Sequence, residues 1–192
     1  MKIYETIISI LDEKGPLSIP LICYEVNQLR VSDHDKPLLP SHIKSIVTRK
    51  KDLFHMKEGN ISIAPDKYPY FLAVILDGDE GITYQVNINF SKKSFSFFEW
   101  INKGNRRRER EPYLRVLGNI DECKREVIAM KIWEWEPFYG TGVGITLGKT
   151  NWKVKLKTKS KTYVSEGADC YPEKWPEFCQ SIGKLTGEPF TY

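Results

Sequence analysis

LLPSHIKSIVTRKKDLFHMKEGNISI, residues 38–63, reads as a short helix followed by a two-stranded hairpin. Pro40 breaks the preceding segment, and Ser41 is expected to cap the first turn by accepting from its free amides. Ile43, Ile46 and Val47 recur at i, i+3 and i+4, which gives the helix one apolar face. His42, Lys44, Ser45, Thr48, Arg49 and Lys51 lie on the other side. Residues 53–56 and 61–63 are short strand-like runs joined by Lys57, Glu58, Gly59 and Asn60, and Gly59 can supply the positive φ of a tight turn.

Toward the N-terminus, residues 2–14 place Ile3, Ile7, Ile8 and Leu11 on one helical face, and Gly15-Pro16 ends the helix. Ser18 is expected to cap a second helix running to Leu29, with apolar Leu21, Ile22, Cys23, Val26 and Leu29, and Pro20 tolerated in its first turn. A polar stretch, VSDHDKPLLP, separates it from the third helix. Helix, helix, loop, helix, hairpin is the order of a winged helix, three helices plus a β-wing. The run resembles the HARE-type winged helix: an opening helix stopped by the Gly-Pro-Leu step within residues 10–17, a third helix at residues 40–51, and a closing phrase through Phe54, Gly59 and Ile63. The stretch before that phrase is shorter here than in the family. The family occurs in chromatin and restriction-related proteins and in the delta subunit of bacterial RNA polymerase. The resemblance therefore implies contact with DNA or transcription machinery, in gene regulation or antiviral defence, and no catalysis.

Composition changes after the linker Asp66-Lys67-Tyr68-Pro69, which predicts domains at residues 1–66 and 67–192. Residues 71–76 form a continuous apolar run, like a buried strand, and residues 77–81 turn it back. Ile82, Tyr84, Val86, Ile88 and Phe90 alternate with Thr83, Gln85, Asn87 and Asn89, the mark of a half-exposed strand. SFSFFEWI, which follows, fits helix or strand. Residues 122–130 are expected to begin as a helix and pass into a strand over 127–135, with Val127, Ala129, Lys131, Trp133 and Trp135 on one side. Residues 152–157 and 161–164 read as a hairpin, and residues 172–186 as an amphipathic helix burying Trp175, Phe178, Cys179, Ile182 and Leu185. The fold class is thus α+β, a winged helix followed by an α+β domain with a mainly antiparallel sheet and a C-terminal amphipathic helix. Gly148, Trp152, Gly167, Asp169, Tyr171, Pro172 and Phe178 are similar in position to the pattern of a small domain common in uncharacterised bacterial proteins. That likeness implies a bacterial or phage origin and carries no activity.

The chain has 192 residues, 29 basic and 25 acidic, net +4, so overall charge alone does not specify a nucleic-acid partner. No apolar run approaches the roughly 20 residues that span a bilayer, and no export signal opens the chain. A cytoplasmic, soluble protein without membrane contact is expected. Cys23, Cys123, Cys170 and Cys179 form no C-x-x-C pair and are expected to be reduced thiols. With His34, His42 and His55 the only histidines, neither a metal site nor a histidine dyad is expected, and no cofactor.

The basic residues are unevenly placed. Residues 1–64 carry nine basic and eight acidic side chains, yet residues 44–57 carry five basic and one acidic. If the third helix enters a DNA groove, Ser41, His42, Lys44, Ser45, Thr48 and Arg49 face bases or backbone, and Lys50, Lys51, Lys57 and Asn60 mainly touch phosphates. The expected partner is double-stranded DNA, with the aromatic C-terminal domain taking a protein partner, its own copy or a small ligand. In KGNRRRERE, residues 103–111, Arg106, Arg107, Arg108 and Arg110 read as a solvating loop or one that contacts phosphate. GTGVGITLGKT, residues 140–150, lacks the first P-loop glycine, where Val143 stands, and precedes a strand pattern where a P-loop opens a helix. No catalytic residue is assigned. Two alternatives stand beside DNA binding. One is a protein-interaction adaptor subunit of a larger complex. The other is a magnesium-dependent nuclease that would set Asp77 or Asp79 against Glu122 and Lys124 on adjacent strands.

Overall fold

The computed structural model describes residues 2–30, 36–77, 81–101, 118–140, 150–188 and 190. Arg106, Arg107, Arg108, Arg110, Asp79, His34 and residues 141–149 of the glycine-rich stretch lie outside the described residues. The described chain is mixed α+β, with five α-helices and two sheets. It divides into two compact units between Tyr68 and Pro69. No helix among the described residues is long and apolar enough to cross a membrane.

In the first unit, α1 (Ile3–Lys14), α2 (Ile19–Leu29) and α3 (Pro40–Arg49) pack with a three-stranded antiparallel sheet of β1 (Leu17–Ser18), β2 (Phe54–Lys57) and β3 (Asn60–Ile63) in the order β1-β3-β2. Ile7, Ile8, Ile10, Leu11, Ile22, Val26, Ile43, Val47, Leu53 and Ile61 fill its core. Each such side chain removed from water contributes about 1.5–3 kcal/mol, which a ten-residue helix such as α3 needs because it is marginal alone. One expectation fails here. Ser18 sits at the N-cap of α2, paired as a strand opposite Asn60, but its side chain makes no capping hydrogen bond. Leu21 and Leu29 are exposed, because α2 turns only Ile22, Cys23 and Val26 inward. Asn27 then fixes the approach to α3: its side-chain amide donates to the Leu38 carbonyl at 2.9 Å and its oxygen accepts from the Leu38 amide at 2.9 Å.

The second unit is a six-stranded sheet, order β6-β5-β4-β8-β9-β7, from β4 (Pro69–Asp77), β5 (Ile82–Asn89), β6 (Ser94–Ile101), β7 (Phe138–Tyr139), β8 (Asn151–Thr158) and β9 (Thr162–Ala168). All pairs are antiparallel except β7 with β9. SFSFFEWI is therefore a strand. Register sets Leu72, Val74 and Leu76 beside Ile88, Val86 and Tyr84 on one flank and Leu156, Val154 and Trp152 on the other, all on one face. α5 (Trp175–Thr186) packs on that face and pairs with α4 (Ile120–Met130). Residues 71–76 are not a strand buried on both sides: Ile75 is 39% exposed in the middle of the sheet.

The strand expected over 127–135 does not form. Asn119 accepts from the amides of Asp121 and Glu122 at 2.8 and 3.2 Å, which starts α4, and Cys123, Lys124, Val127, Ile128 and Met130 are buried at helical spacing. Lys131 at φ 54° ends the helix, and a 3-10 turn over Ile132–Glu134 follows. Trp135, Trp152, Trp175, Phe178, Tyr139 and Tyr171 form one aromatic cluster, with centroid distances from 4.6 to 6.3 Å.

All four cysteines are free thiols. Burial pushes the Cys123 thiol from its ordinary 9.0 up to about 11, and Cys179 up to about 12. Cys170, half-buried, is expected to react first with a disulfide reagent at pH 8, and Cys123 and Cys179 only after unfolding by guanidinium; counting modified thiols by mass checks this. Both raised values also make the folded state hold protons that the unfolded chain releases. Their contribution is therefore intact below about pH 9 and is lost as pH rises toward 11 and 12.

Candidate nucleic-acid interface

Pro40 occupies the first turn of α3, where its missing amide proton costs nothing, and Leu39 is the N-cap. Ser41 is not the cap: it lies inside the first turn, exposed, with no capping bond from its side chain. His42 takes the reciprocal role. Its Nδ1 accepts from the Leu39 backbone amide at 3.2 Å, a bond that requires Nδ1 unprotonated. Ile43 and Val47 are buried at 0% and 5%, so the opposite face is held outward. Ser41, His42, Lys44, Ser45, Thr48 and Arg49 are all exposed on it, and Lys51 just beyond.

Among the described residues, no carboxylate lies within ion-pair distance of Lys44, Arg49 or Lys51. Lys50 is half-buried, with its Nζ 5.4 Å from the centre of the Tyr4 ring on α1, a cation–π contact that anchors α3. Arg49 donates through Nε to the Ser45 carbonyl at 3.4 Å, which keeps its head near the helix. In the hairpin, Lys57 pairs across from Asn60, and both are exposed. Lys57 Nζ lies 3.8 Å from Glu58 Oε1, with both side chains more than 70% exposed, so water and salt weaken the pair.

The turn requires two positive φ angles, 51° at Glu58 and 79° at Gly59, of which the sequence advertised only the glycine. Consecutive left-handed residues match the strand twist of a two-residue hairpin, where asparagine is preferred to glutamate at the first position. Glu58→Asn is expected to stabilise the chain by about 0.5–1 kcal/mol, read as a higher thermal midpoint by circular dichroism at 222 nm.

The metal arrangement on adjacent strands is not what the chain adopts. Glu122 and Lys124 are on α4, Lys124 is buried, and Asp77 accepts from the Thr83 hydroxyl at 2.9 Å. Among the described residues, no cluster of three or more His, Cys, Asp or Glu is placed to hold a metal.

Sequence reasoning passed over the outward face of the second sheet. At one level, Phe98, Gln85, Ile75, Lys153, Glu166 and Phe138 run across all six strands. The next two levels carry Ser96, Asn87, Ala73 and Lys155, then Ser94, Asn89, Phe71 and Lys157. The Lys-x-Lys-x-Lys alternation of β8 was the available signal, with Trp152, Val154 and Leu156 between the lysines and buried. No family model, curated protein or solved structure matches this chain.

Proposed function

We propose that the first unit is a winged helix that binds duplex DNA, with α3 directed at a groove and the β2–β3 hairpin as the wing beside it. The observation that carries this reading is the outward face of α3, where Lys44 and Arg49, with Lys51 after them, stand exposed and without carboxylate partners among the described residues. A helix fits the major groove, and hydroxyl and imidazole groups on its outer face match the donors and acceptors of base edges. Ser41, His42, Ser45 and Thr48 are the base-directed groups in this reading, and Lys44, Arg49, Lys50, Lys51, Lys57 and Asn60 serve the phosphates. The HARE-type resemblance supports the same reading and suggests a regulatory or defence setting, with no catalytic step assigned.

A protein-adaptor reading is favoured by a different observation. Leu21, Tyr24, Leu29 and Leu39 are 51%, 59%, 64% and 58% exposed, apolar side chains that a protein partner would cover. Fluorescence anisotropy with a labelled duplex at several salt concentrations separates the two. Duplex binding that weakens steeply with salt supports the groove reading; a partner complex insensitive to salt, with no duplex binding at low salt, supports the adaptor.

A further inference from the structure

We propose that the outward face of the six-stranded sheet in the second unit binds single-stranded nucleic acid. This reading uses none of the residues assigned to duplex contact and stands or falls separately from it. Among the described residues this face is partly open: Ile75 and Val164 are each 39% exposed, Phe138 61%, and Lys153 is exposed, while Phe71, Ala73, Gln85, Asn87, Asn89, Lys155 and Lys157 are half-buried; on the other side of β8 Trp152 lies against Trp175 of α5.

The side chains on it sort into columns along the strands. β8 contributes Lys153, Lys155 and Lys157, spaced about 6.8 Å apart because alternate residues of a strand share a face. β4 beside it contributes Phe71, Ala73 and Ile75, and β5 contributes Gln85, Asn87 and Asn89. β6 adds Ser94 and Ser96, then Phe98 and Trp100, whose rings stack 5.9 Å apart with planes 5° from parallel. A row of cations beside a flat apolar column and a row of amides suits an unpaired strand. Phosphates follow the lysines, bases lie flat on Phe71 and Ile75, and the amides supply both donors and acceptors to base edges. A duplex shows such a flat surface only its phosphates, and would leave Ile75 and Phe71 without a partner.

Charge favours one end. Among the described residues the face carries two carboxylates, Asp77 and Glu166, both toward the end where Ile75 lies. Glu166 is neutralised by Lys153 at 2.7 Å, and Asp77 accepts from Thr83. Lys155 and Lys157 occupy the other end, with no carboxylate within ion-pair distance among the described residues. Lys157 Nζ already sits 5.4 Å from the Phe71 ring centre, so one cation and one stacking surface are adjacent before any ligand arrives. At the Ile75 end, a shallow cavity of about 340 Å³ between Ile75, Phe138, Asn151 and Glu166 offers a place for a terminal base.

The test is anisotropy of the full chain with labelled oligothymidylate and oligouridylate of about 12 nucleotides at 50 mM salt, the two arms separating DNA from RNA. The pair Lys155→Gln/Lys157→Gln is expected to weaken binding of at least one of them roughly tenfold and to flatten its salt slope by about 1.4. Phe71→Ser is expected to weaken it severalfold with the salt slope unchanged, which a purely structural role for Phe71 does not predict. Circular dichroism melts matching the parent exclude unfolding as the cause. The proposal is overturned if neither oligonucleotide binds, if the lysine pair binds like the parent, or if the loss follows Lys44→Ala/Arg49→Ala/Lys51→Ala instead. A chain that dimerises through this face and ignores both oligonucleotides also overturns it.

Discussion

Trp175→Ala is expected to destabilise the second unit by about 3–5 kcal/mol, a large fraction of the 5–15 kcal/mol that holds an ordinary domain together. Trp175 is 0% exposed, and its ring lies 4.6 Å from that of Trp152, 5.3 Å from Tyr171, 5.4 Å from Phe178 and 6.2 Å from Trp135. Removing it opens a cavity bounded by rigid rings, which relax less than aliphatic chains and so recover little of the lost contact. Trp152 is further constrained because its indole donates to the Cys170 carbonyl at 2.8 Å, and Gly167 across from it has no room for a side chain. The measurement is unusually selective. Trp100, Trp133, Trp135, Trp152 and Trp175 all follow Pro69, so tryptophan fluorescence reports the second unit alone, while far-ultraviolet circular dichroism reports both. With a urea dependence of about 1–3 kcal/mol per molar, the fluorescence midpoint should fall by roughly 2 M. Part of the dichroism should persist beyond it, from the helices of the first unit. A drop below about 1 kcal/mol would mean that the aromatic cluster is not the core of this unit.

How far residues announce structure depends on whether a local period or a distant neighbour decides it. Ile43, Ile46 and Val47 announced α3, and Trp175, Phe178, Cys179, Ile182 and Leu185 announced α5, since each helix buries one stripe against a single layer. The alternation from Ile82 to Phe90 announced β5 for the same reason. Val127, Ala129, Trp133 and Trp135 misled because a run of mixed apolar and charged residues satisfies both periods. The deciding features were the Asn119 cap and a left-handed lysine at position 131, which no propensity favours. Ser41 misled because Pro40 opens the helix, so the N-cap falls on Leu39 and the serine lies inside the first turn. The outward sheet face was illegible in another way. The lysines of β8 showed their own period, but β8 pairs with β4 across about 80 residues of sequence, and no local pattern states which strand will stand beside which. Thus the polar side of α3 could be listed residue by residue from the sequence, whereas the sheet face needed the strand order.

Replacing Lys44, Arg49 and Lys51 together by alanine is expected to weaken duplex binding by roughly 10²–10³-fold at 0.1 M salt, if each contacts one phosphate. The magnitude follows from counterion release. Each phosphate neutralised contributes about 0.9 to the slope of log affinity against log salt, so three lost contacts flatten that slope by about 2.7. Such a loss should be uniform across duplex sequences, because phosphates carry no base identity. The single change Thr48→Ala should do the opposite, altering preference among sequences by up to about 1–3 kcal/mol while leaving the salt slope alone. Folding offers little escape as an explanation: Lys44, Arg49 and Lys51 are exposed, and Arg49 donates to the Ser45 carbonyl of its own helix. Lys50 is the informative contrast. Its ammonium already lies over Tyr4, so Lys50→Ala should cost stability through α1 and α3 as well as affinity, and its melt should shift where that of the triple variant does not. A triple variant that binds duplex with the parent's affinity and slope would remove α3 from the interface, and with it the reason for reading this face as a surface for DNA.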